Sequence, residues 1–290
     1  GRQIPKNQFY GIKIMNKLFK ALIYDKQVSL SVLDTTDLVN KAIKIHNLSG
    51  QSARLLGNLL TVCAYMSGCL KSDKGAVSIT VKSPDSSGSA SVSGDVNLHI
   101  RGYVDGSCKT SLAGGTVTVI KDDGFYRPFV GTCLAGSDDV SAIITEYFHM
   151  SEQIPTAVSV DVKLGEDGSC IAAGGVIMQL LPGTSEANIA KAEERMQAYL
   201  KPADVIAECG AEGIIRTYFD GQIDKKGLYL LHPDYICNCS RSKIEAVILP
   251  LGEKELLSVC DEQGCVSVHC HYCNTDYTFD KDDIKKLFAK

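Results

Sequence analysis

An α+β fold is predicted for this chain of 290 residues, and three features predict it. Strand-like and helix-like stretches follow one another at irregular intervals, without the regular βαβ rhythm of a doubly wound sheet. After Pro182-Gly183 the character changes to a charged, strongly helical run. Farther on, six of the twelve cysteines crowd into the 37 positions from Cys237 to Cys273. The chain is therefore expected to divide into an N-terminal mixed α/β domain over 15–183, a helical linker over 184–232 and a small C-terminal module over 233–290. Residues 1–14, GRQIPKNQFYGIKI, are set aside as an N-terminal extension or an expression remnant.

Each element has its own signal. Residues 16–33 alternate and are rich in β-branched side chains, which predicts a strand pair turning at Asp25-Lys26. Thr35 or Thr36 caps a helix that runs to His46 and is stopped by Asn47 and Gly50. A second helix spans 52–68, with Leu55, Leu56, Leu59, Leu60 and Cys63 on one apolar face. Cys63 and Cys69 are read as buried helix-end residues. Residues 76–135 are mainly β (AVSITV, NLHIRGYV, GTVTVI), and SPDSSGSASVSGD among them reads as a hairpin or loop. Gly114-Gly115 and Gly174-Gly175 read as turns. A helix is expected over 138–151, with His149 and Ser151 at its end and no acid placed to make them catalytic. Strands return at AVSVDV and GVIMQLL. In the linker, SEANIAKAEERMQAYL forms an amphipathic helix ended by Pro202, a short helix follows over 204–209, and glycines punctuate the stretch to Gly227. Helices this marginal must borrow burial from a neighbour, here through Ile189, Met196, Tyr199 and Leu200.

Composition narrows the class. Hydrophobic residues make up 44% and charged residues 22%, enough apolar material for a core and too little charge for a disordered chain. No run approaches the roughly 18 apolar residues of a membrane-spanning helix. A formal net charge of −4 argues against a surface built to hold nucleic acid.

Twelve cysteines fit either a secreted disulfide framework or thiols that hold a metal in a reducing compartment. A chain this long buries its own core without staples. Six cysteines (Cys63, Cys69, Cys108, Cys133, Cys170, Cys209) are scattered singly, and the crowding of the other six favours a local metal or redox site. Cys237-Asn-Cys239 and Cys270-His-Tyr-Cys273 stand 30 residues apart. Zinc takes four tetrahedral ligands, about 2.3 Å from each thiolate, and two close pairs complete that shell at small entropic cost. A module of about 60 residues also needs such a staple.

The Cys-x-Cys half is the less usual one. In an extended chain its Cα atoms lie roughly 6.6 Å apart, near the upper limit of about 6.8 Å for a disulfide. A bridge there is strained and easily reduced, whereas Cys270 and Cys273 pair more comfortably. The site reads as metal-bound when reduced and disulfide-bonded when oxidised, with a purely structural zinc knob as the alternative. Cys260 falls in the apolar phase of a helix, GEKELLSVC. Strand alternation places Cys265 on the face of His269, opposite Cys270. His269 and His271 can ligate zinc in principle, but four thiolates make them unnecessary.

Taken in order, LDTTDLV at 33–39, RGYV at 101–104, YFHMSEQIPTAVSVDV at 147–162, AAGGVIMQLLPG at 172–183 and the Cys-x-Cys…Cys-x-x-Cys tail resemble the heat-shock protein 33 family of redox-regulated holdase chaperones, over about 15–290. The resemblance implies an N-terminal substrate-binding domain, a metastable linker and a C-terminal zinc module. It implies one Zn2+ per chain in the reduced, inactive form, held by Cys237, Cys239, Cys270 and Cys273. On oxidation, disulfides Cys237–Cys239 and Cys270–Cys273 would form, zinc would leave, and the module and linker would unfold to expose apolar surface to unfolded client proteins. The active form in that family tends to dimerise. Cys209, Cys260 and Cys265 stand outside the four-thiolate motif and offer other pairings.

Two other functions fit less well. A thiol–disulfide oxidoreductase working through Cys270 and Cys273 would set the pair at a helix N-terminus beside a βαβ unit, but here it follows a strand. A zinc-ribbon nucleic-acid binder needs a basic module, and residues 233–290 hold ten Asp/Glu against seven Lys/Arg. The expectation is a cytoplasmic chaperone that is not an enzyme and binds neither nucleic acid nor membrane.

Overall fold

The computed structural model describes residues 16–223 and 227–289; the expected N-terminal extension lies outside them. The chain opens with strands β1 (Lys17–Ile23) and β2 (Val28–Asp34), then helices α1 (Thr36–His46) and α2 (Gly50–Ser67). Strands β3 (Ala76–Lys82), β4 (Ser89–Asp95), β5 (His99–Val104), β6 (Thr116–Asp122) and β7 (Phe129–Leu134) follow, then helix α3 (Val140–Tyr147). Next come β8 (Thr156–Leu164), β9 (Cys170–Leu180), α4 (Glu186–Gln197), α5 (Pro202–Tyr218), β10 (Tyr229–Leu231) and β11 (Asp234–Tyr235). The C-terminal part holds α6 (Arg241–Ile248), α7 (Glu253–Gln263), β12 (Val266–Cys270), β13 (Thr275–Phe279) and α8 (Lys281–Phe288).

The expected α+β architecture is present as two larger sheets, of order β10-β1-β2-β9-β8 and β11-β5-β4-β3-β6-β7, and a β12-β13 hairpin. Helix α2 is apolar nearly all round and is buried among both larger sheets, as such a helix must be; Leu55, Leu56, Leu59 and Leu60 share one core with Val77, Ile79, Val92 and Ile177. The opposite face of the five-stranded sheet is covered by α4 and α5. There Leu30, Val32, Val176 and Met178 meet Ala192, Tyr199, Ala203, Ile206 and Ile214. The C-terminal part has a small core of its own, built from Ile248, Leu256, Cys260, Val266, Phe279 and Ile284.

The structure decides some local expectations and corrects others. Of the hairpin or loop expected in the Ser/Gly-rich stretch the structure has the hairpin, whose second arm is β4, with Ala90 and Val92 buried under α2; its small side chains suit a sheet that a helix approaches closely. Gly174-Gly175 is not a turn but lies inside β9, where a Cβ on Gly174 would overlap the carbonyl of Leu33 in β2. The glycine-dotted stretch after residue 209 continues as α5, with a single break at Gly210 (φ 66°, ψ 173°). Burial of Ala203, Ile206, Ala211 and Ile214 on the sheet outweighs the poor helix propensity of glycine there. Cys69 is exposed just beyond α2, and Leu200 is 75% exposed while Tyr199 takes the buried position. Ile189 and Met196 are half-buried. Cys265 lies one residue ahead of β12, outside its ladder.

Candidate metal centre

Two short backbone devices present the four clustered cysteines. Cys237 and Cys239 lie in the extended stretch between β11 and α6, which Ser240 opens by accepting from the Lys243 amide at 3.3 Å. The Lys243 ammonium donates to the Asn238 carbonyl at 2.7 Å and so holds the residue between the two cysteines. Cys270 ends β12, and a tight turn carries the chain to Cys273 and back into β13. In that turn the amides of Cys273 and Asn274 both donate to the Cys270 carbonyl, at 3.3 and 2.9 Å, and Asn274 sits at φ 57°.

The sulfurs of Cys237, Cys239, Cys270 and Cys273 all lie within 4.8 Å of one another. Cys237 Sγ is 3.7 Å from Cys270 Sγ, and Cys239 Sγ is 3.3 Å from Cys273 Sγ. Four thiolates around a zinc ion at about 2.3 Å each would stand about 3.8 Å apart in a regular tetrahedron. The donor set and its spacing therefore fit a zinc ion. Neither histidine joins the cluster: His269 Nδ1 lies 2.7 Å from Asp276 Oδ1, and the His271 ring packs on Tyr103 at 5.3 Å between centroids.

Two hydroxyls that the sequence reading did not single out complete the site. Thr275 and Tyr277, two apart and so on one face of β13, bring Oγ1 to 3.2 Å from Cys273 Sγ and Oη to 3.1 Å from Cys239 Sγ. Burial opposes ionisation of Cys239, but hydrogen bonds from Tyr277, Cys273 and the other thiols bring it down to about 7. Burial pushes Cys237 well above the ordinary thiol range and also raises Cys273. The hydrogen bond to Cys239 is the main cause that lifts Tyr277 to about 12. The cluster thus favours one thiolate near neutrality, and a divalent cation would supply the countercharge for the rest.

The Cys270–Cys273 turn rests on the N-terminal part of the molecule. The Tyr272 ring packs edge-on against Tyr103, lies under the Arg101 guanidinium at 5.1 Å, and brings its hydroxyl to 3.3 Å from Ser91 Oγ. Asn274 donates to the Ile45 carbonyl at 3.3 Å. Tyr235, 7% exposed, places its hydroxyl 2.6 Å from the Tyr272 carbonyl oxygen and 2.8 Å from that of Gly102, with His46 Nε2 at 2.9 Å.

A sequence profile of the family described as "Hsp33 protein" matches residues 16–280. The chain belongs to the Hsp33 family. A 33 kDa chaperonin of Bacillus cytotoxicus is 36% identical over 286 residues, covering 93% of this chain and 97% of the relative. One of Clostridium perfringens is 34% identical over 291 residues, covering 95% and 92%. The crystal structure of an Hsp33 homologue from Thermotoga maritima superposes with a TM-score of 0.83 over 95% of this chain and 98% of that one; at 22% identity it shows a shared fold. As a member of the Hsp33 family the chain is a chaperone by descent, and a four-cysteine cluster of metal-binding geometry lies in its C-terminal part. Among the described residues no helix is long and apolar enough to cross a membrane.

Proposed function

We propose that this Hsp33-family chain is a redox-regulated holdase of the cytoplasm, which binds unfolded client proteins and prevents their aggregation under oxidative stress. In the reduced, inactive form one zinc ion per chain is held by Cys237, Cys239, Cys270 and Cys273. The observation that carries this reading is the convergence of four sulfurs within 4.8 Å from two segments 30 residues apart. When bound, zinc would neutralise the thiolates and tie the two halves of the module together.

Oxidation is the switch in this reading. Two thiols give two electrons and two protons to one hydrogen peroxide, which leaves as two waters, and a disulfide forms. Two such steps would produce Cys237–Cys239 and Cys270–Cys273 and remove all four donors. A structural zinc site contributes roughly 10–16 kcal/mol of apparent binding energy, against about 5–15 kcal/mol for the stability of a whole domain. Loss of the donors therefore unfolds the module over 233–290 and frees the linker over 184–232, leaving the domain over 15–183 to hold clients, as a homodimer. Sulfur separations of 3.7 and 3.3 Å run between the halves, Cys237 to Cys270 and Cys239 to Cys273, so peptide mapping of the oxidised chain is the check on pairing.

Light scattering of an aggregating client tests the switch, with reduced, zinc-loaded protein beside peroxide-oxidised protein. Suppression by the oxidised sample alone is expected. Equal suppression by both would make the zinc site purely structural, and suppression by neither would overturn the holdase reading.

A further inference from the structure

Residues 229–236 end one position before Cys237 and close an edge of each large sheet. β10 adds to β1, with Leu231 opposite Leu18, Leu230 opposite Phe19 and Tyr229 opposite Lys20. β11 adds in parallel to β5, the amides of Asp234 and Ile236 donating to the carbonyls of Leu98 and Ile100, both at 3.0 Å. Only His232 and Pro233 separate the two strands. Without this strap, β1 and β5 would be the outer strands of their sheets.

The strap is held more loosely at the start of β10 than at its cysteine end. Tyr229 is 65% and Leu230 44% exposed. Tyr235, by contrast, enters the inter-sheet core and touches the Tyr272 carbonyl inside the Cys270–Cys273 turn. On the β1 edge β10 covers three residues, and a groove of about 490 Å³ lined by Ala21, Leu22, Gly68 and Tyr229 continues beside it.

We propose that the strap is an internal stand-in for a client: its release uncovers the β1 and β5 edges, and an extended apolar segment of an unfolded polypeptide takes its place by strand addition. This rests on the redox reading above, which supplies the release. The strap itself specifies the occupant: an extended backbone to pair with both edges, an aliphatic side chain where Leu231 packs and an aromatic one where Tyr235 inserts. Main-chain hydrogen bonds carry the affinity of strand addition, so it tolerates many sequences. The outer edge of β7 is already open in this closed state among the described residues, so the thiol cluster has nothing to switch there.

The test uses the full chain and a fluorescent peptide, LYLLHPDYI, copied from residues 228–236. Peroxide-oxidised protein should bind it about tenfold or more tighter than reduced protein does. Methylating the peptide nitrogens that correspond to Asp234 and Ile236 keeps every side chain and should cost about tenfold or more, because two backbone bonds are lost. Amide exchange in β1 and β5 of the oxidised chain should slow when reduced, carboxymethylated α-lactalbumin is added as the unfolded client. Equal binding of the methylated peptide would overturn the proposal in favour of non-directional apolar contact. Edge amides protected without client would put a second copy on the edges and overturn it too. Suppression of aggregation without edge protection would overturn this proposal alone, whereas no suppression by oxidised protein would overturn the redox reading and this proposal with it.

Discussion

Tyr277 is the residue on which the cluster leans most without being one of its sulfurs. Its hydroxyl is 3.1 Å from Cys239 Sγ, and groups that hydrogen-bond to metal ligands typically contribute 10–100-fold in metal affinity. Tyr277→Phe is expected to weaken zinc binding about tenfold, read by chelator competition, and to shift the sulfur-to-metal band of the cobalt(II) form. Tyr272→Phe, whose hydroxyl faces Ser91 instead, should leave both unchanged. The four cysteines were legible in the sequence because paired spacing is a local property. Tyr277 and Thr275 were not, because their approach to sulfur depends on the β12–β13 register that sets Cys270 opposite Thr275. His46, half-buried beside Tyr235, carries a second prediction. Burial lowers its pKa below the ordinary 6.5. The unfolded chain takes up a proton near 6.5 while the folded chain resists it. The contribution of His46 is thus complete above that pH and is lost as pH falls through the lowered folded value. Acidification from about pH 7.5 to 5.5 should speed amide exchange at 234–236 beyond the intrinsic change, and His46→Gln should abolish that excess.

Among the elements, those with a strong period were legible: the β1–β2 hairpin, α1, α2, β8 and the apolar half of β9 all declare themselves by alternation or by a helical stripe. β4 and the second half of α5 did not, because small residues and glycines read as breakers until a neighbour buries them. The same marginality makes the linker adjustable in either direction. Tyr199 is fully buried against the five-stranded sheet, yet its hydroxyl has no partner among the described residues. An unsatisfied buried hydroxyl costs about 1–3 kcal/mol, so Tyr199→Phe is expected to stabilise the docked linker by about 1 kcal/mol or more. Gly210 stands at φ 66°, ψ 173°, a region almost closed to other residues and worth about 1–3 kcal/mol of strain; Gly210→Ala should loosen the linker by that amount. Limited proteolysis within 184–223 of the reduced protein checks both, slower for the first variant and faster for the second. A shift of the same sign in both would separate linker docking from these two residues.

Across the whole molecule, the hydrophobic cores of the described residues differ greatly in size. The core around α2 draws on both large sheets, so it should keep its amide protection when the cysteine module loses its fold. The C-terminal core rests on Ile248, Leu256, Cys260, Val266, Phe279 and Ile284, and single cores in chains below about 70–80 residues rarely supply more than about 3–5 kcal/mol. A metal held by four thiolates would be the larger contribution there. Removing metal with a chelator while a reductant keeps every thiol reduced should therefore erase amide protection over 237–289 and leave α2 and β3 protected. The strap should follow the module, because it loses the Tyr235–Tyr272 contact with it and its own ladder is only three and two residues long. Loss of protection at 229–236 on chelation, with no disulfide formed, would show that the cysteines govern the sheet edges by holding a fold together. Retained protection there would mean that oxidation acts on the strap by some route other than the loss of the module.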